Sequence, residues 1–162
     1  MGYYDVAQIC LNGHITNSAF KSSSENNVKF CRNCGAQTIT QCPICNENIT
    51  GDYIEPGFYT ALDMDEKAPA FCHNCGSPYP WTQRALEGIQ EIIDEERKLS
   101  DSEKEKLKLS LNDIIAETPK TALAATRFKK AVLTVGTVTK DALLQFATDF
   151  AAETAKKMLG IN

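Results

Sequence analysis

Two hydrophobic patterns divide the chain. Up to Trp81 the apolar residues come in short runs broken by turn residues; from Thr82 they recur every three or four positions. Residues 3–11, Tyr3-Tyr4-Asp5-Val6-Ala7-Gln8-Ile9-Cys10-Leu11, read as one strand ending in a turn at Asn12-Gly13, where glycine accepts a positive φ. Residues 17–28 are rich in Ser and Asn, have no periodicity to bury, and read as a loop. Thr38-Ile39-Thr40 suits a short strand. Ile49 to Thr60 reads as two strands around the turn dipeptide Pro56-Gly57, with Tyr53, Ile54, Phe58 and Tyr59 as their apolar stock. Asp63-Met64-Asp65-Glu66-Lys67 is a charged loop, and Pro78 and Pro80 then bar a regular ladder. Trp81, the only Trp, is placed to pack a helix onto the ribbon beside it.

The helical half carries four stripes. Leu86, Ile89, Ile92, Ile93 and Leu99 mark the first, and Leu107, Leu111, Ile114 and Ile115 the second. Between them Ser100-Asp101-Ser102-Glu103 has the form of a capping box. Thr118-Pro119 supplies an N-cap with proline at the first helical position, and Leu123, Phe128, Ala131, Val132 and Val135 follow up to Gly136. A last helix is expected from about Thr137 to Leu159, with Gly160 as its stop. Its apolar positions are Leu143, Phe146, Ala147, Phe150, Ala151 and Met158, and Ala147, Ala151 and Ala155 form a small-residue seam. A helix apolar over more than one stripe is central to its bundle or shared with another chain, so a homo-oligomer through residues 137–160 is expected. The pattern predicts an α+β chain: a small β-rich domain over residues 1–81, then a region of about four helices over residues 82–162.

Candidate chemistry sits in the first half. Phe30-Cys31-Arg32-Asn33-Cys34-Gly35 returns as Phe71-Cys72-His73-Asn74-Cys75-Gly76, an internal repeat. Each copy puts two thiols on a tight turn closed by glycine. Upstream stand two more pairs, Cys10 with His14 and Cys42 with Cys45, which makes eight ligands or two tetrahedral sites. The repeat favours pairing along the chain: Cys10, His14, Cys31 and Cys34 on one metal, Cys42, Cys45, Cys72 and Cys75 on the other. A cross-brace of first with third and second with fourth pair is the rival. Zinc, two ions per chain, fits thiolate and imidazole ligands; iron is the alternative at the four-cysteine site, because Cys42-Pro43-Ile44-Cys45 resembles a rubredoxin knuckle.

Composition sharpens this picture. An odd count of seven cysteines suits metal better than disulfides and points to a reducing, cytoplasmic setting. The start of the sequence has no signal-peptide pattern, and no apolar run approaches the ~20 residues of a membrane span. Residues 1–81 carry four Lys/Arg against eight Asp/Glu, whereas residues 82–162 carry thirteen of each. Seven thiolates with two zinc ions would make the first half more acidic still, which disfavours phosphate backbones. Arg127-Phe128-Lys129-Lys130 is the one compact basic patch and reads as a solvated helix face.

No catalytic constellation stands out. Both ligand sets are closed, and a catalytic zinc needs an open position. His14 is followed by Ile15-Thr16 and not by the deaminase glutamate. His73 lies inside a knuckle whose first copy has Arg32 there, so it reads as an exposed side chain. Asp63, Asp65 and Glu66 read as a charged loop.

The phrase from Phe30 to Gly35, followed seven residues on by Cys42-Pro43-Ile44-Cys45, resembles the double zinc ribbon of many bacterial and archaeal proteins. Three motifs together resemble an uncharacterised bacterial family: Tyr3 through His14, Pro69 through Thr82, and Thr118-Pro119 with Arg127-Phe128-Lys129-Lys130. That resemblance implies a zinc-ribbon N-terminus with a helical tail and no assigned activity. The expectation is a non-enzymatic interaction module with a protein partner. The alternative is a nucleic-acid-binding zinc ribbon, and an enzyme using acidic residues or His73 ranks third.

Overall fold

The structure, a computed structural model, describes residues 1–58 and 67–162. They form two units, Met1–Gln83 and Arg84–Asn162. Short strands occupy the first half and α-helices the second, an α+β chain.

The first unit holds two small antiparallel sheets. The stretch expected as one strand is two: β1 (Tyr3–Val6) pairs with β5 (Thr50–Ile54), while β2 (Gln8–Cys10) lies between β3 (Ile15–Asn17) and β4 (Thr38–Ile39). The chain changes sheets at Ala7, whose N–H donates to Ile49 O over 2.8 Å. Asp5 explains the bend. Its carboxylate is buried and accepts from Val6 N (2.6 Å), Lys21 N (3.0 Å), Ser22 N (2.9 Å) and Ser22 Oγ (2.6 Å). A strand residue with an inward carboxylate thus organises the Ser/Asn-rich loop, which also contains a 3₁₀ turn at Ser24–Asn26. Strand β5, the first strand of the hairpin expected around Pro56-Gly57, pairs with β1. The rest of that expected hairpin, Tyr59 and Thr60, and the acidic residues Asp63, Asp65 and Glu66, lie outside the described residues. Among the described residues the buried apolar side chains of this unit are few: Val6, Ala7, Ile9, Ala19, Ile49, Tyr79 and Trp81 stand among the first cysteines of each knuckle.

The helical half has five helices among the described residues, one more than the pattern suggested: α1 (Pro80–Glu95), α2 (Asp101–Ile115), α3 (Thr121–Thr134), α4 (Thr137–Phe150) and α5 (Glu153–Leu159). Helix α1 starts within the first unit and runs on into the second. The capping box is present, with Ser100 N donating to Glu103 Oε2 over 2.9 Å and Glu103 N to Ser100 Oγ over 3.3 Å. Helix α3 starts two residues later than expected. Lys120 takes the N-cap position, and the Thr118 hydroxyl, which accepts from Lys120 N (3.1 Å), donates to Asp113 Oδ1 (2.7 Å) while Thr121 Oγ1 donates to Asp113 O (3.0 Å), tying the turn back to α2.

The expected last helix breaks at Ala151 and Ala152, which have extended ψ angles of 140° and 153°. No glycine or proline causes the break. Ala152 N instead donates to Ile114 O over 2.9 Å, and α5 folds onto α3, so tertiary packing overrides helix propensity. Ala147, Ala151 and Ala155 are all buried in the core of this unit with Leu111, Ile114, Phe128 and Leu143. The seam is spent within the chain, which removes the ground for pairing two copies through it. Leu123 and Met158, expected on apolar faces, are exposed.

Candidate metal centres

Three knuckles share one local geometry. The residue before the first cysteine bridges the residue three after the second: Phe30 with Gln37, Gln41 with Asn48, Phe71 with Pro78. Within each, the N–H after the second cysteine donates to the first cysteine's carbonyl: Gly35 to Cys31 (2.8 Å), Asn46 to Cys42 (2.9 Å) and Gly76 to Cys72 (2.9 Å). That turn needs a left-handed residue, and φ is 70° at Gly35, 61° at Asn46 and 71° at Gly76. The two-copy repeat of the sequence is therefore a three-copy repeat of structure, with Asn46 doing what glycine does elsewhere, a substitution asparagine tolerates better than other side chains. The fourth turn is a variant. Gly13, at φ 89°, donates to Cys10 O (2.9 Å), and Cys10 N donates to His14 O (3.0 Å).

These turns bring the eight ligand candidates into two groups, Cys10 with His14, Cys31 and Cys34, and Cys42 with Cys45, Cys72 and Cys75; within each, the donor atoms all lie within 4.8 Å of one another. The grouping follows chain order and is not a cross-brace. In the first, Cys10 Sγ lies 3.5 Å from His14 Nδ1 and 3.7 Å from Cys34 Sγ, and Cys31 Sγ lies 3.6 Å from His14 Nδ1. In the second, Cys42 Sγ to Cys75 Sγ is 3.8 Å and Cys45 Sγ to Cys72 Sγ is 3.7 Å. A disulfide needs about 2.0 Å. A tetrahedron with metal–sulfur bonds of about 2.3 Å has edges of about 3.8 Å, so the separations fit four ligands around one ion. His14 would ligate through Nδ1, leaving Nε2 to carry the proton. Both groups could hold a metal ion. His73 is exposed and belongs to neither group.

The surroundings favour thiolates. Each knuckle aims N–H groups at sulfur, as a concentrated negative charge requires. Cys34 is pulled down to about 6, first by the Ala36 N–H and then by the Asn12 side chain. Cys72 comes to about 6 through the N–H groups of Cys75 and Asn74. The Ser77 hydroxyl and N–H lower Cys75. Burial pushes Cys10 and Cys42 the other way, although each also receives two backbone N–H bonds, from His14 and Asn12 and from Cys45 and Ile44. In every pair the first cysteine is buried and the second ligand reaches toward solvent.

Sequence reasoning missed Asn12, Asn46 and Tyr79. Asn46 had a signal, its place directly after Cys45, where the other two knuckles have glycine. Tyr79 is buried with its hydroxyl hydrogen-bonded to Cys72, and burial and then that thiolate raise the phenol well above its ordinary value. Nothing in the sequence pattern marks that contact.

A family model described as "Uncharacterized protein conserved in bacteria (DUF2321)" matches residues 3–159. No curated protein and no solved structure matches the chain.

Proposed function

The chain belongs to this bacterial family, and for it we propose a zinc-stabilised interaction module: residues 1–81 a double zinc-ribbon domain with two structural zinc ions, residues 82–162 a helical region joined to it. The observation that carries the reading is the pair of closed four-ligand groups with tetrahedral edge lengths. Imidazole in the first group suits zinc, and the four thiolates of the second suit zinc or iron. When bound, each ion would cross-link two turns that have little apolar surface of their own, and structural zinc contributes about 10–16 kcal/mol to the folding of such peptides. With all four positions taken by protein, zinc here holds a shape and activates no water. Seven thiols maintained as ligands suit the reducing cytoplasm. The module presents its surface to a protein partner.

X-ray absorption at the zinc edge tests the site assignment. The expected first shell is seven sulfurs and one nitrogen shared over two zinc ions; a shell rich in oxygen would contradict it. Affinity capture with the intact zinc-loaded chain tests the interaction role. A partner retained by the loaded chain and lost after chelation supports it, while identical capture by both forms counts against it.

A further inference from the structure

Tyr79 and Trp81 join the two ligand groups through one packed line, all of it within Met1–Gln83. Tyr79 is 1% exposed, and its hydroxyl is bonded to Cys72 in the four-cysteine group. Its ring stacks on Trp81, with centroids 4.7 Å apart and planes at 19°. Trp81 is 3% exposed and is anchored by its indole N–H to Pro69 O over 2.8 Å. Trp81 also rests on Gly13, so closely that a Cβ there would stand 3.0 Å from Trp81 Cβ and 3.1 Å from Cγ. Gly13 is the turn residue between Cys10 and His14, two ligands of the other group. Every step from Cys72 Sγ to the Cys10–His14 turn is thus a hydrogen bond or a close packing contact.

We propose that this line makes metal loading of the two groups cooperative, with Tyr79 and Trp81 as the coupling pair; the proposal rests on reading both groups as zinc sites. The physical reason lies in ordering. Among the described residues the unit has few buried apolar side chains besides these two rings, so neither ligand group has a preformed seat without metal. The first zinc ion must bear the entropy of ordering Tyr79 and Trp81 along with its own turns. The second finds the shared rings already in place, so its binding is tighter. Coupling of this kind is reciprocal, whichever group fills first.

Native mass spectrometry of the full reduced chain during titration with zinc sulfate tests this. For independent sites of equal affinity about half the molecules carry one zinc at one equivalent, and unequal affinities raise that share. The expected result is a one-zinc form well below half, with zinc-free and two-zinc forms dominating. Tyr79→Phe keeps the stacked ring and removes only the hydroxyl, and Trp81→Leu keeps Cβ and Cγ against Gly13 but removes the ring stacked on Tyr79. Each should raise the one-zinc form severalfold while two zinc ions still bind at saturation. A one-zinc form at half or more in the unaltered chain overturns the coupling but leaves the zinc reading intact. Fewer than two zinc ions at saturation overturns the zinc reading itself. The unaltered chain decides the matter even if Trp81→Leu fails to fold.

Discussion

Asn46 shows how single residues set the metal turns. Its φ of 61° is a conformation that costs most side chains about 1–2 kcal/mol. Asn46→Val should therefore weaken metal retention in the four-cysteine group by roughly tenfold, whereas Asn46→Gly should retain it, as competition with a chromophoric chelator would show. At this scale much of the site was legible, because Cys and His at knuckle spacing name their own chemistry. The groups that support them were not, since whether Asn12 or Tyr79 reaches a sulfur depends on how turns distant in sequence pack. Phe30 and Phe71 show the opposite error a reader would make. They open the repeated phrase yet are exposed, and among the described residues of the first unit the buried aromatic rings are Tyr79 and Trp81 downstream of it.

Among the elements, α4 begins at Thr137 as its pattern predicts, but the sequence hid what caps it and where it ends. Its N-cap is Gly136, which has no side chain to offer. The cap is supplied from forty residues away: Glu96 Oε2 accepts from Gly136 N over 3.0 Å, while Oε1 accepts from Lys98 N over 2.8 Å. The N–H of Lys98, the Thr139 side chain and the N–H of Gly136 hold the Glu96 carboxyl down to about 2. A carboxyl lowered on folding stabilises above its ordinary value near 4.5 and loses that effect as pH falls toward 2. Glu96→Gln should thus destabilise the helical unit by about 1–3 kcal/mol at neutral pH. Denaturant titrations should find this difference shrinking between pH 4.5 and 2. The other end tests the break. If Ala152 lies outside the helix and only bonds Ile114 O, Ala152→Pro costs about 1 kcal/mol for the lost bond. In a continuous helix it would cost about 3 kcal/mol or more. The stripes and the Ser100 capping box were readable here because they are local. The break was not, because its cause is a carbonyl on α2.

At the scale of the whole molecule the two units are stabilised by different means. The core of Leu111, Ile114, Phe128, Leu143 and their neighbours lies entirely in the helical unit and contains no ligand. The first unit holds all seven cysteines and, among its described residues, little apolar core. Chelation under reducing conditions should therefore unfold the first unit, seen as a shift in Trp81 emission, and leave most of the helical circular dichroism. Loss of both signals together would show that the helical unit depends on metal as well. Among the described residues no helix is long and apolar enough to cross a membrane. The change of hydrophobic period near Thr82 made the division between strand-rich and helical halves readable. How strands β1 and β2 separate was not, because the buried carboxylate of Asp5 lies in the middle of an apolar run.

The central claim is that eight named ligands hold two zinc ions. Elemental analysis by mass spectrometry of the purified chain, against its measured concentration, tests it most directly. The account predicts close to two zinc per chain and little iron, falling to about one in Cys31→Ser with the four-cysteine group still filled. One metal per chain, or mostly iron, would contradict it.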